Sequence, residues 1–246
     1  MKLQSEQKKK QRAFNPNQDD KNWQELFNTQ FQNLQSLGAI STMWMNGFSK
    51  LGLDNSKMPT ADVLTKISKQ YTGYTFIQTT ESIIYEQIDW YRYIANYEMP
   101  LSGFLRMPSE LAYCDEPDNW HEIIGHIPFL IDKEYSDMYQ NLAKSYIKAY
   151  EENNQKALKI LDFVGGLLVE LALIREPSGL KAFGATLYSS GELYEAFKPE
   201  NQVQFSYSVI EKESGYDRSQ FQGRYYVIDS LTQVNEIIDK AFTGDF

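Results

Sequence analysis

The chain has two histidines in 246 residues, and both fall in one short stretch, His121-Glu122-Ile123-Ile124-Gly125-His126. Neutral imidazole offers a lone pair near neutral pH, which makes histidine the commonest metal ligand. On a regular helix, residues five apart point about 140° away from each other, so this pair cannot share an ion without a local change of backbone. Gly125 allows the backbone to leave helical geometry before His126, and Pro128 is expected to stop the helix from resuming. One imidazole on the last turn and one just past it would then converge. The pair alone fits two ordinary hydrogen-bonded histidines equally well. A carboxylate adds to it: Glu170 lies inside the most apolar segment of the chain, 163–174. An unpaired buried carboxylate costs on the order of several kcal/mol, so it needs a cation or a proton. Arg175 and Lys181 are the nearby alternatives to a metal. His121, His126 and Glu170 together make a two-histidine, one-carboxylate set. With no thiolate among them, such a set favours non-haem Fe(II) and dioxygen chemistry. A hydrolytic zinc ion with Glu122 as base is the chemical alternative, and a metal kept only for stability is another.

These residues need helices to hold them. Trp23, Phe27, Phe31, Leu34 and Leu37, then Trp44, Phe48 and Leu51, recur at spacings of three and four, the mark of amphipathic helix. Further helices are expected over 60–71, 81–97, 135–150 and 155–176. A short helix should start near Asp115 or Asp118, whose side chains can cap it. Residues 98–117 carry four prolines or glycines that break regular structure, and 177–191 read as loop with short turns. Val203–Ile210 and Arg224–Ile228 are candidate strands, and a last helix follows Asp229 or Ser230. The expected fold is mainly α with a few short β-strands, as a single catalytic domain over 21–246 behind a disordered tail over 1–20.

Composition narrows the partners. A net charge of -9 opposes binding to nucleic acid or to anionic membranes. No apolar run reaches the ~18 residues that a membrane-spanning helix requires. The basic start, MKLQSEQKKKQR, has no apolar stretch behind it and is not a secretory signal. Cys114 is the only cysteine, so the chain cannot close a disulfide on itself or build a cysteine zinc site. A cytoplasmic protein is expected.

The stretch Glu116-Pro117-Asp118-Asn119-Trp120-His121-Glu122-Ile123-Ile124-Gly125-His126-Ile127-Pro128 closely resembles the iron-binding motif of the pterin-dependent aromatic amino acid hydroxylases. Val169-Glu170, Lys181 to Ala185, Ser189 to Glu192, Thr72-Gly73-Tyr74, the region from Asp89 to Arg106 and Phe221 to Ile228 extend the likeness over about 23–242. The resemblance implies that His121, His126 and Glu170 bind Fe(II). It further implies that a tetrahydropterin, tetrahydrobiopterin or a relative, and dioxygen are used to hydroxylate the ring of a free aromatic amino acid, phenylalanine to tyrosine in the first instance. By the same likeness Arg106 pairs with the substrate carboxylate, and Tyr113, Cys114, Gly166 and Ser189 lie beside the substrate. Trp90 would stack on the pterin, which Glu122 would contact partly through water. The chain is similar to bacterial members without regulatory or tetramerising segments, so a monomer is expected. Four positions depart from the family. Cys114 and Asp115 precede Glu-Pro-Asp where Thr and Pro or Gln are usual. Gly166, beside Gly165, stands where a bulky aromatic is usual, and Leu171 replaces a Phe. The lost ring volume opens the site to tryptophan, unless Phe183 or Tyr188 refills it.

Overall fold

The computed structural model describes residues 16–80, 86–212 and 220–244. The apolar stripe that begins at Trp23 does not make one helix. It makes two, α1 (Pro16–Ser36) and α2 (Thr42–Leu51), because Gly38, at φ 59°, turns the chain between them. Ser41 caps α2 by accepting from the Trp44 amide, and Gly52 ends it at φ 62°, a left-handed conformation that costs glycine little. Helix α1 starts at Pro16, so it includes the end of the stretch read as a tail; the rest of that stretch, 1–15, lies outside the described residues. Thr60 caps α3 (Ala61–Ser68).

The stretch 81–97 yields a shorter helix, α4 (Gln87–Ala95), and 81–85 lie outside the described residues. A parallel pair, β1 (Thr75–Gln78) and β2 (Glu98–Leu101), flanks it. The sequence pattern had left both strands unread, since four residues are too few to establish a period. The long helix α6 (Lys133–Glu151), capped by Asp132, packs against α4. Helix α7 (Gln155–Phe163) follows. The helix expected to reach Glu176 stops at Glu170, and Leu173–Glu176 is instead strand β3, paired with β4 (Gly179–Ala182) in an antiparallel hairpin. Part of the region read as loop is therefore sheet. Two short helices follow, α8 (Ala185–Ser189) and α9 (Glu192–Ala196). The candidate strand 203–210 splits into β5 (Gln202–Gln204) and α10 (Ser208–Lys212), whereas 224–228 is β6 (Tyr225–Ile228). The second sheet runs β4-β3-β6-β5. Helix α11 (Leu231–Asp239), capped by Ser230, closes the chain. The architecture is mainly helical with a few short strands around one core.

That core is unusually aromatic. Trp23, Trp44 and Trp120 are fully buried, as are Phe129, Tyr135, Phe183 and Tyr188. Burying such a side chain contributes about 1.5–3 kcal/mol, and edge or offset ring contacts add to it. Trp23 meets Trp120 edge-on at 5.2 Å, and Trp44 stacks on Tyr188 at 4.5 Å. These rings tie α1 and α2 to the segments that carry the histidines and Ser189.

Candidate metal centre and its cavity

Both ligand-bearing segments contain a widened helical turn. Asp118 Oδ1 accepts from the His121 amide at 3.2 Å, and the chain then forms a π turn over His121–His126 before continuing as a helical turn, α5 (Ile127–Leu130). In a π turn the hydrogen bond runs from i to i+5, so residues five apart share a face. The helix therefore does not end at Gly125, as expected from sequence. It widens, and Pro128 is accommodated in the first turn of α5, where its missing N–H is no loss. Widening disturbs the carbonyl ladder, and the Ile124 carbonyl accepts from the Trp44 indole at 2.8 Å. Gly125 serves a different purpose: a Cβ there would lie 2.7 Å from the Ala185 carbonyl oxygen, so glycine lets α8 press against the π turn. The second π turn, Val164–Val169, ends at Glu170, which places that carboxylate opposite the imidazoles.

The three groups meet. His126 Nε2 lies 3.1 Å from His121 Nε2 and 3.2 Å from Glu170 Oε1, and His121 Nε2 lies 3.5 Å from Glu170 Oε2. An ion bonded at about 2.0–2.2 Å to each of three ligands at right angles would hold them roughly 3 Å apart, so the donor set fits a metal. Glu122 is the competing third ligand, because one of its oxygens lies within 4.8 Å of a ring nitrogen of each histidine. Glu170 faces the meeting point of the two Nε2 atoms, with its oxygens 3.2 and 3.5 Å from them, so it is the better candidate.

Protonation favours the same reading. Burial drives the His121 pKa down to about 4, against the pull of Glu170, so this ring is neutral. Its Nδ1 lies 2.9 Å from Ser189 Oγ, and that hydroxyl is also within 3.2 Å of the Ala185 carbonyl. A hydroxyl that donates to the carbonyl accepts from Nδ1–H, which leaves the Nε2 lone pair aimed at the site. Burial pushes Glu170 up, but the two imidazoles and Thr186 outweigh it and hold the carboxyl at about 2. Burial lowers His126, but Glu170 outweighs it and the net shift is upward. The Glu170 carboxylate thus draws positive charge to His126, a place that a metal ion would take.

A cavity of about 380 Å³ opens above these groups, and Trp90, Arg106, Tyr113, Cys114, Glu122, Gly166 and Ser189 all line it together with His121, His126 and Glu170. The candidate metal, substrate and pterin residues named from sequence are therefore brought to one space. Arg106 is not a surface arginine. It is 3% exposed, and its Nε and Nη2 donate to Asp118 Oδ1 at 2.9 and 2.6 Å while Nη1 donates to the Ser189 carbonyl at 3.0 Å. Trp90 is half-buried, and its indole N–H donates to the Tyr139 hydroxyl at 2.9 Å, which fixes the ring plane. Tyr113 sits at the rim, 38% exposed, with its ring against Phe221. Glu122 is buried beside His126.

The aromatics expected to refill the wall at Gly166 do not reach it. Phe183 and Tyr188 are buried among Phe129, Tyr135 and Trp44 and do not line the cavity. Tyr91, from α4, lies instead against the neighbouring glycine: a Cβ on Gly165 would lie 2.1 Å from its hydroxyl. The sequence also gave no direct sign of Thr186, which donates to Glu170 Oε2 at 2.9 Å. Gly184 was visible only as part of a motif. Its reason is contact: a Cβ there would stand 2.2 Å from the Glu170 carbonyl carbon and oxygen and from the Leu171 nitrogen. No helix among the described residues is long and apolar enough to cross a membrane.

Residues 8–244 match the family described as biopterin-dependent aromatic amino acid hydroxylase. The chain is 30% identical over 234 residues to the phenylalanine-4-hydroxylase of Ralstonia nicotianae, covering 92% of this chain and 70% of that one. It is 30% identical over 224 residues to the corresponding protein of Chromobacterium violaceum, covering 88% and 71%. Among solved structures, the cobalt-bound phenylalanine hydroxylase of Chromobacterium violaceum matches with a TM-score of 0.78 at 28% identity, over 89% of this chain and 78% of that one. Phenylalanine hydroxylase from Legionella pneumophila matches at 0.77 and 26%, over 92% and 90%.

Proposed function

The chain belongs to the biopterin-dependent aromatic amino acid hydroxylase family, and from that premise we propose that it hydroxylates free phenylalanine to tyrosine with Fe(II), a tetrahydropterin and dioxygen. The observation that carries the proposal is the convergence of His121 Nε2, His126 Nε2 and the Glu170 carboxylate within 3.1–3.5 Å at a cavity also lined by Trp90 and Arg106. Two imidazoles and one carboxylate would hold the iron and leave positions for other ligands. When bound, the ferrous ion and the reduced pterin, which is the two-electron donor, would together activate dioxygen, the source of the oxygen atom inserted into the ring.

The protein's own groups bind and orient. Arg106 has five N–H donors in a rigid fork; Asp118 and the Ser189 carbonyl take three of them and lock the plane. The remaining two are held ready for a substrate carboxylate. Trp90, fixed by Tyr139, offers a flat face for a pterin, and the buried Glu122 carboxylate accepts from its N–H edge, directly or through water. Tyr113 and Cys114 close the substrate side. Ser189 keeps His121 in the tautomer a metal needs, and Thr186 aims Glu170. Tyr91 narrows the space beside Gly165, which favours a single ring over an indole.

The test supplies Fe(II), tetrahydrobiopterin and oxygen and offers phenylalanine, tyrosine and tryptophan in turn, with products read by mass. Tyrosine from phenylalanine is expected, and Glu170→Ala should abolish it. A higher kcat/KM for tryptophan than for phenylalanine would overturn the substrate assignment, and no turnover of any of the three would overturn the proposal.

A further inference from the structure

A buried carboxylate that the hydroxylation scheme does not use stands at the start of α9. Glu192 is 5% exposed and lines the cavity. Burial pushes its carboxyl above the usual range, against the donors that stabilise its charge. Those donors are the Gln222 backbone N–H and the Tyr225 hydroxyl, 3.0 and 2.9 Å from Oε1. Hydrogen bonds to an ionised acceptor are roughly twice as strong as those between neutral groups, so Glu192 grips the chain just before β6.

What that grip holds is one bank of the cavity mouth. Gln220 lines the cavity, and Phe221, beside Gln222, sets its ring edge-on to Tyr113 at 6.3 Å. The other bank is held by the preceding residue. The Gly191 N–H donates to the Ala112 carbonyl at 3.1 Å, and a Cβ on Gly191 would lie 3.0 Å from the Ala112 Cα. Ala112 leads directly into Tyr113 and Cys114. Consecutive Cα atoms are about 3.8 Å apart, so residues 191 and 192 set the two banks at a fixed spacing. The junction is anchored from behind: the buried Gln30 amide of α1 donates to the Leu187 and Ser190 carbonyls at 3.3 and 3.1 Å.

We propose that Glu192 is a positioning residue for the amino acid: by holding Gln222 it keeps Phe221 against Tyr113 and so fixes the wall on which the substrate rests. This role rests on the amino acid hydroxylase reading above. It is exerted through the rim of the cavity, and neither the metal ligands nor the pterin face at Trp90 takes part in it.

The test is calorimetric binding of phenylalanine to the Co(II)-loaded protein, which needs no turnover. Glu192→Ala should weaken phenylalanine by about tenfold, the worth of one hydrogen bond to a charged acceptor, and leave the affinities for Co(II) and 7,8-dihydrobiopterin unchanged. Glu192→Gln keeps an oxygen that accepts from both donors and should retain most of the affinity. Phe221→Ala should weaken phenylalanine to a similar extent. Combining it with Glu192→Ala should cost little more, because both act through Tyr113. Phe221 is 39% exposed, so its truncation leaves the core intact and decides the matter even if Glu192→Ala does not fold. Unchanged phenylalanine affinity in either alanine variant, an equal loss for all three ligands, full additivity, or a Glu192→Gln as weak as Glu192→Ala would overturn the assignment. Wild type that binds phenylalanine but forms no tyrosine with Fe(II), tetrahydrobiopterin and oxygen would overturn the proposed reaction and leave this role standing. Wild type that binds no phenylalanine would overturn both.

Discussion

Replacing Gly184 by alanine tests the tertiary logic of the metal centre without touching a ligand. Gly184 has φ -74°, a value any residue adopts, so the substitution brings no backbone strain of its own. Its cost is steric. The new Cβ would stand 2.2 Å from three atoms of the Glu170–Leu171 peptide group, whereas non-bonded carbon atoms settle at about 3.5–4.0 Å. The two strands of chain must therefore part by more than ~1 Å, and neither is a flexible side chain that can swing aside. On one side of the gap is the Glu170 carboxylate. On the other, α8 carries Thr186 and Ser189, which hold Glu170 and His121. Metal–ligand bonds are only about 2 Å long, so parting on that scale breaks the three-point set. Overpacking costs about 1–3 kcal/mol, which for a domain of this size lowers the melting temperature by roughly 2–12 °C at about 2–4 °C per kcal/mol. Metal affinity should fall by about a hundredfold, at the upper end of what loss of outer-shell support does. Scanning calorimetry of the metal-free protein and a competitive Fe(II) or Co(II) titration measure the two effects. Gly52→Ala is the control: at φ 62°, with nothing within 4 Å of the Cβ, it should cost about 1 kcal/mol and leave metal affinity unchanged. Wild-type metal affinity in Gly184→Ala would refute the argument.

Three other outcomes follow from the same geometry. Ser189→Ala removes the partner of His121 Nδ1 and should weaken metal binding about 10–100-fold with the fold intact by circular dichroism; an unchanged affinity would show that the ring is held by packing alone. Arg106→Ala should do more than raise the KM for phenylalanine, because it leaves the fully buried Asp118 carboxylate without its cation. Such a loss costs about 3–5 kcal/mol, so urea midpoints should fall with it, and a stable Arg106→Ala with only a raised KM would contradict the account of the pair. Glu170 raises the pKa of His126, so a proton should compete with the metal for that ring, and Co(II) titrations in two buffers of different ionisation enthalpy should give different heats; equal heats would count against that competition.

The candidate metal ligands were legible in the sequence because they are chemical anomalies. A chain with only two histidines places both within six residues, and a lone carboxylate in a greasy segment requires a partner wherever the chain folds. Helices were legible where apolar spacing runs long, as from Trp23 onward, and where caps such as Ser41, Thr60 and Ser230 mark their starts. Tertiary structure decided how five-residue spacing becomes convergence. A π turn is not favoured by local propensity, and here it is held by contacts from distant elements, the Trp44 indole on Ile124 and the Ala185 backbone against Gly125. It also decided that Tyr91, rather than Phe183 or Tyr188, approaches the glycine wall, and that Thr186 faces the site. Those facts depend on which helices pack together, and packing is settled by the whole core at once. Donor chemistry is a property of each side chain, whereas a site is a property of the distances between them.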